Sequence, residues 1–280
     1  MKLTLLGTGT PTPNTQRRGA GQIVQCGDDA ILIDCGAGIL HRLLDAGYAS
    51  LNLNSIAFTH LHSDHVTGLM DLLWAGWIGR RWQTPPTVYG PPGTQHFIDH
   101  LIESMSYDIK VRIGPILQTE QLIPRVVEFD EGWSVAGSDW QLSAFRVEHM
   151  PVDQAFGFRV DQGAASVVVS GDTKACENLA VHAKDSSLLV HEVFWSQGLE
   201  QMGEAAPDEQ ERARFALLET YHTPSREVGK IATMANTPHL VLSHIIRSRG
   251  DPDDFARDIE PDYKGKLTVG SDLMTFELPS

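Results

Sequence analysis

The sequence predicts an α/β fold in which two β-sheets pack face to face and helices cover their outer sides. Short apolar strands separated by glycine- and proline-rich turns occur in both halves of the chain, and stretches with helical spacing accompany each set. No linker and no short-period repeat divides the 280 residues. We therefore expect residues 1–280 to form a single domain that buries roughly three quarters of its extended surface.

The first half of the chain begins with strands and then alternates strands with helices. Strands are predicted at residues 2–7, 22–26, 30–34, 55–59 and 85–89. Helices are predicted at residues 36–46, at residues 66–78, and from the turn at residues 90–93 to about residue 107. A histidine-rich loop lies between the strand at 55–59 and the helix at 66–78.

The second half repeats this pattern with shorter elements. Strands are predicted at residues 126–129, 141–148, 155–160, 166–170, 188–191 and 240–243. Helices are predicted at residues 174–183, 207–218 and 225–235. Pro207 is expected in a first helical turn and Ser225 at an N-cap, because these residue types favour those positions.

Charge and composition exclude several classes of protein. The chain has 22 basic and 36 acidic residues, a formal charge of −14, which disfavours RNA or an anionic membrane as partner. No apolar run approaches the roughly 18 residues of a membrane span. The N-terminus is typical of a first strand rather than a signal peptide, so we expect a cytoplasmic protein unless a leader has been trimmed. Three cysteines are too few for a disulfide framework.

The segment after the strand at 55–59 carries the clearest chemical signal. His60, His62, Asp64 and His65 lie within six residues. Imidazole and carboxylate together suit borderline divalent metals such as zinc. His60 and His62 point the same way on an extended stretch, and a turn then brings Asp64 and His65 from another direction. The segment can therefore serve two ions.

Further ligands are expected at the ends of later strands. The candidates are His149, Asp172, His191 and His244. Gly171 permits a tight turn that presents the Asp172 carboxylate, whose two oxygens can bridge two cations. Taken singly, each candidate is also compatible with a solvated loop residue. At successive strand ends in one chain, the candidates together favour metal ligation.

The pattern His60-x-His62-x-Asp64-His65, followed by His149, Asp172 and His244, resembles the metallo-β-lactamase superfamily over essentially the whole chain. The resemblance implies a four-layer αββα sandwich of two mixed sheets with a dinuclear site along one sheet edge. It implies one ion held by His60, His62 and His149 and another held by Asp64, His65 and His244, with Asp172 and a water between them. Two divalent ions are expected, zinc first, with manganese or iron as alternatives.

Two later motifs narrow the branch. His191-Glu192-Val193 and Tyr221-His222-Thr223 resemble ribonuclease Z, the tRNA 3′-end endonuclease, and the related arylsulfatase-type hydrolases. The resemblance implies that Glu192 and His222 form a pair beside the metals and that His222 assists the leaving group. Asp64 is expected to hold the nucleophilic water and to accept its proton.

One departure from ribonuclease Z decides the predicted substrate. That enzyme commonly carries a long arm that grips tRNA, inserted between the positions of His149 and Asp172. Only 23 positions separate these residues here, and residues 200–211 are acidic. The sequence therefore favours a hydrolase of small-molecule anionic esters, either aryl sulfate or phosphate esters, with RNA not expected as a partner.

Several alternatives stay open. They are a ribonuclease Z-like tRNA 3′-processing endonuclease, a lactonase, and a non-catalytic metal-binding module. Arg80, Arg81, Arg247 and Arg249 are candidates for contact with an anionic ester. A homodimer is compatible with the sequence.

Overall fold

Two β-sheets form the centre of the computed structural model, which describes residues 1–48, 53–246 and 250–279. The strands in these ranges are β1 (Lys2–Gly7), β2 (Gly21–Cys26), β3 (Asp29–Ile33), β4 (Leu53–Ala57), β5 (Thr87–Gly90), β6 (Val126–Glu128), β7 (Ser134–Ala136), β8 (Trp140–Arg146), β9 (Phe156–Gln162), β10 (Ala165–Val169), β11 (Leu188–Phe194), β12 (His239–Ile246), β13 (Lys266–Val269) and β14 (Thr275–Glu277). One sheet has the order β14-β1-β2-β3-β4-β5-β6, and the other has the order β13-β12-β11-β10-β9-β8-β7.

Helices cover the outer face of each sheet. The described helices are α1 (Ile39–Asp45), α2 (Ser63–Val66), α3 (Leu69–Ile78), α4 (Thr94–Ser104), α5 (Ser106–Arg112), α6 (Glu177–His182), α7 (Ser196–Glu204), α8 (Glu209–Leu218), α9 (Ser225–Met234) and α10 (Pro252–Ile259). Buried side chains of α1, α3, α4 and α5 pack on the first sheet, and those of α6, α9 and α10 pack on the second.

A third apolar layer fills the space between the sheets. Leu3 and Ile31 of the first sheet share one buried cluster with Phe158 and Val167 of the second. Because side chains alternate along each strand, the same strands supply both this layer and the layer beneath the helices. The prediction of a four-layer αββα sandwich with two mixed sheets is confirmed.

Parallel pairing brings several strand ends to one edge of the sandwich. β3, β4 and β5 run parallel in the first sheet, and β10, β11 and β12 run parallel in the second. Two backbone hydrogen bonds join the sheets at this edge, from Phe156 N–H to Thr59 O and from Ile245 N–H to Thr8 O, each 2.9 Å long. The carboxyl ends of parallel strands are where α/β sheets place their binding residues.

The elements differ from the predicted ones mainly at their ends. The strands predicted at 188–191 and 240–243 continue to Phe194 and Ile246, and the helix predicted at 66–78 is replaced by α2 and α3. Ser225 is the first residue of α9 and Pro224 is its N-cap, because the Ser225 hydroxyl donates to Asp258 instead of capping the helix. Asp208, rather than Pro207, begins α8 by accepting the Glu211 N–H at 2.8 Å.

Some elements of the structure were not predicted, and some predicted properties of the protein are not tested by the structure. The short strands β7, β13 and β14 and the helices α7 and α10 were not predicted. Among the described helices none is long and apolar enough to cross a bilayer. The single domain, the cytoplasmic location and the homodimer stay predictions.

Candidate metal centre

The two sheets present polar side chains at their shared edge. After β4, an extended segment carries His60 and His62, and the short helix α2 then supplies Asp64 and His65. On the second sheet, Gly171 follows β10 with φ 61°, and a Cβ there would lie 2.5 Å from the Phe156 carbonyl oxygen. Glycine is therefore required in the tight turn that precedes Asp172, as the sequence predicted.

His244 reaches this edge in a different way from the one predicted. It lies inside β12 and not after the strand. The register with β11 shifts at Ser243 and Ile245, so that His244 is an extra residue with φ 41°. Such a bulge redirects one side chain without ending the strand, which is why this site was mistaken for a strand end.

Two groups of side chains face each other across the centre. The rings of His60, His62 and His149 lie with centroids 4.6 to 5.1 Å apart. In the second group, His244 Nε2 lies 3.1 Å from Asp64 Oδ2, and His65 Nε2 lies 3.7 Å from the same oxygen. The donor atoms of the first group together with Asp172 lie within 4.8 Å of one another, and so do those of the second group.

Asp172 lies between the two groups and turns one oxygen to each. Its Oδ2 is 3.9 Å from both His60 Nε2 and His149 Nε2. Its Oδ1 is 3.4 Å from His65 Nε2 and 3.3 Å from His244 Nδ1. A carboxylate placed in this way can bind two cations at once.

The centre holds buried polar atoms that nothing in the described part of the chain satisfies. His60 Nε2, His65 Nε2, His244 Nδ1 and Asp172 Oδ1 are all buried without a hydrogen bond there. Each such atom costs about 1–3 kcal/mol if it has no partner. Four of them converge at one point, and their donor types are those that zinc prefers. The residues therefore fit divalent metal ions.

The charges at the centre agree with this fit. Burial lowers the pKa of His149 to about 4 and holds the pKa of His60 well below its usual range, so both rings keep a free lone pair. Burial would also lower the pKa of His65, but Asp172 and Asp34 outweigh it and raise that pKa well above its usual range. A positive charge is thus favoured between these carboxylates, as a divalent ion would supply.

A second set of residues, which the sequence analysis missed, orients the rings. Asp34 Oδ2 lies 2.9 Å from His65 Nδ1, and its Oδ1 accepts the N–H of Thr59. The Thr59 hydroxyl lies 3.0 Å from His60 Nδ1, and the Tyr221 carbonyl oxygen lies 2.9 Å from His149 Nδ1. Each ring therefore turns its Nε2 atom inward. The position of Asp34 at the end of a predicted strand was the signal that could have identified it.

We expect Asp34→Asn to lower the affinity for divalent ions by about 10–100-fold, because the variant loses the charge that orients His65. Competition with a chelator measures this affinity. Asp28→Asn, in the exposed turn at the other end of β3, is the matched control and should bind like the wild-type protein. Equal affinities for Asp34→Asn and the wild-type protein would contradict the orienting role.

Glu192 and His222 form a buried pair beside the ligand groups. Glu192 Oε1 lies 2.8 Å from His222 Nδ1 and accepts the Thr173 N–H at 2.7 Å. The His222 ring centroid lies 5.0 Å from that of His149 and 5.9 Å from that of His244. Burial lowers the pKa of His222, while Asp172 and Asp64 oppose this change. The pair can hold a proton close to the metal centre.

Other candidates from the sequence lie elsewhere. His191 was predicted as a ligand, but it precedes Glu192 on β11 and its side chain points to the opposite face of the sheet. There its Nδ1 lies 2.7 Å from the Glu192 carbonyl oxygen. Arg80 and Arg81 follow α3 and do not line the cavity at the centre, as far as the described residues define it. Arg247 and Arg249 lie outside the described residues.

The chain is similar in sequence and in fold to several known proteins. A family model described as "Anti-Pycsar protein Apyc1" matches residues 1–202. Ribonuclease Z of Mycobacterium bovis (strain BCG / Pasteur 1173P2) is 31% identical over 287 residues, which cover 99% of this chain and 98% of the relative. The solved metallo-β-lactamase fold protein YhfI from Bacillus subtilis has a TM-score of 0.76 at 20% identity, covering 98% of each chain. Human tRNase Z, short form, has a TM-score of 0.70 at 21% identity, covering 100% of each.

These relatives overturn two predictions. The prediction of a hydrolase of small aryl sulfate or phosphate esters is wrong, because the relatives that match over the full length are ribonuclease Z proteins. None of these relatives supports hydrolysis of sulfuric esters. The exclusion of RNA is wrong for the same reason. The missing arm was a poor criterion, since the Mycobacterium bovis relative matches this chain over 98% of its own length. Net charge was a poor criterion too, because RNA binding depends on local cations.

Proposed function

Because the chain belongs to the ribonuclease Z branch of the metallo-β-lactamase superfamily and to the family described as Anti-Pycsar protein Apyc1, we propose that it is a metal-dependent phosphodiesterase that cleaves precursor tRNA at the 3′ end. The observation that carries the proposal is the Glu192–His222 pair beside two groups of ligands that share Asp172. The ribonuclease Z relatives of equal length support RNA as the substrate.

Two ions, with zinc favoured by the donor set, would be held by residues from both sheets. His60, His62 and His149 would hold one ion, Asp64, His65 and His244 the other, and Asp172 both. When bound, such ions would activate a water as nucleophile at neutral pH and would neutralise charge on the phosphate. These residues thus fix the place where the phosphate of the substrate must lie.

Asp64 is proposed to accept the proton of the attacking water. Burial would raise the pKa of Asp64, but hydrogen bonding to His244 and the charge of His65 lower it overall. The carboxylate is therefore ionised at neutral pH, so that it can accept a hydrogen bond from the water and orient it, although a lowered pKa does not itself favour proton transfer.

His222 is proposed to donate a proton to the departing oxygen. Its Nδ1–H is held by Glu192, which leaves Nε2 for the substrate. Because burial lowers the pKa of the ring, its protonated form gives up the proton readily. Glu192 does not touch the substrate in this proposal and acts as a positioning residue.

The test is processing of a precursor tRNA that carries a 3′ trailer, with metal-loaded protein, under multiple-turnover conditions near physiological salt. We expect cleavage at a single position at the 3′ end of the tRNA body. Bis(p-nitrophenyl) phosphate serves as a small diester that shows whether the centre is competent. Turnover of this diester without cleavage of the precursor would contradict tRNA as the substrate, and turnover of neither would contradict a phosphodiesterase.

A further inference from the structure

Helices α7 and α8 form one wall of a cavity over the metal centre. The cavity has a volume of about 290 Å³ and contains Asp64, Asp172 and His222 at its base. Met202 of α7 and Glu211, Arg214 and Phe215 of α8 line its side. The two helices are inserted between β11, which carries Glu192, and His222, so that their position is tied to the proposed catalytic pair.

The packing of α8 does not explain why this helix is present. None of its residues is buried. Phe215 and Leu218 are half-buried against a small cluster of Phe194, Leu199 and Ile246. A helix that contributes so little to the core is available for another task, and four of its residues line the cavity over the metal centre.

The charges around this cavity are uneven. Asp64, Asp172 and Glu211 are carboxylates, and Arg214 is the one arginine or lysine among the described residues that line the cavity. Arg214 Nη1 lies 3.3 Å from Glu211 Oε1, with the two side chains 72% and 34% exposed. An exposed pair of this kind is weak. The guanidinium is thus free to leave Glu211 for a stronger anionic partner.

We propose that Arg214 binds a phosphate adjacent to the scissile one and that Phe215 stacks on the neighbouring base. A guanidinium matches phosphate geometry through paired N–H donors, and an aromatic ring accepts any base. Glu211 opposes this contact because it competes for Arg214 and repels the RNA backbone. The inference rests on the proposed function and assigns its substrate contacts to α8.

The experiment measures KM for the precursor tRNA over a range of salt concentrations. Arg214→Ala should raise KM about tenfold or more and reduce the salt dependence by about one unit of log KM per log salt. Arg214→Lys should recover part of the loss. Phe215→Leu, which keeps an apolar side chain but no ring, should raise KM roughly tenfold with an unchanged salt dependence. Glu211→Gln should lower KM.

Arg212→Ala is the matched control, because Arg212 lies exposed on the same helix but does not line the cavity. It should leave KM and its salt dependence at wild-type values. Processing by the wild-type protein with equal KM and equal salt dependence for Arg214→Ala and Arg212→Ala would overturn this inference alone. Absence of processing by the wild-type protein would overturn the proposed function and this inference together.

Discussion

Asp172→Asn is expected to remove bound metal and to lower turnover of precursor tRNA by on the order of 10³ or more. Each oxygen of Asp172 faces one group of ligands, so that a single neutral side chain weakens both ion positions. Asparagine keeps the shape of the side chain and removes its charge. Elemental analysis of protein purified without chelator measures the ions, and we expect about two per wild-type chain.

Asp161→Asn is the matched control for this prediction. Asp161 is a partly exposed carboxylate on β9 that pairs with Arg159 at 2.9 Å, away from the metal centre. This variant should keep the metal content and the turnover of the wild-type protein. A full complement of ions and a normal rate in Asp172→Asn would contradict a carboxylate shared by two ions.

Local sequence patterns predicted the fold class and the region of the site well. Short continuous apolar runs between turn residues placed most strands, because strands that lie between two covering layers are buried on both faces. The spacing from His60 to His65 was informative since all four side chains lie on one short segment. Gly171 before Asp172 was informative because only a few residues tolerate its φ of 61°.

The remaining features depend on pairing between distant segments. The bulge at His244 exists only relative to β11, more than fifty residues earlier in the chain, so that no local pattern marks it. The position of Asp34 at a strand end marks it as a candidate, but its partner, His65, becomes apparent only when β3 and β4 are paired. His191 and Glu192 point to opposite faces because they are neighbours on β11, but which of them faces the metal centre depends on which face of β11 meets the other sheet.

The wrong prediction that RNA is not a partner also arose because sequence composition does not show which residues the fold brings together. A net charge of −14 describes the whole chain, whereas the proposed RNA substrate would meet local charges, including those around the cavity over the metal centre. Arg214 reaches that cavity because α8, in the acidic region of the sequence, packs its half-buried side on Phe194 and Ile246. Composition averages over this arrangement, and only the fold shows that Arg214 and Glu211 line the cavity while the acidic residues at positions 200–209 do not.

His222→Ala is expected to lower kcat for precursor tRNA by roughly 10²–10⁴, the usual range for a positioned general acid. His222 donates to Glu192 and is not one of the seven residues assigned to the ions. Its ring nevertheless lies within 4.8 Å of donor atoms of Asp172 and His244, so that metal content is a direct test of this assignment. The metal content should therefore equal that of the wild-type protein. His96→Ala, which removes an exposed histidine of α4, is the matched control and should change neither quantity.

The leaving group distinguishes proton donation from other roles of His222. A ribose oxygen needs a proton when it departs, whereas p-nitrophenolate departs without one. The loss in His222→Ala should therefore be much smaller for bis(p-nitrophenyl) phosphate than for precursor tRNA. Glu192→Gln, which keeps an oxygen near His222 but replaces the carboxyl group, should show the same ordering with a smaller loss. Equal losses on both substrates would instead assign His222 to binding or to the structure of the site.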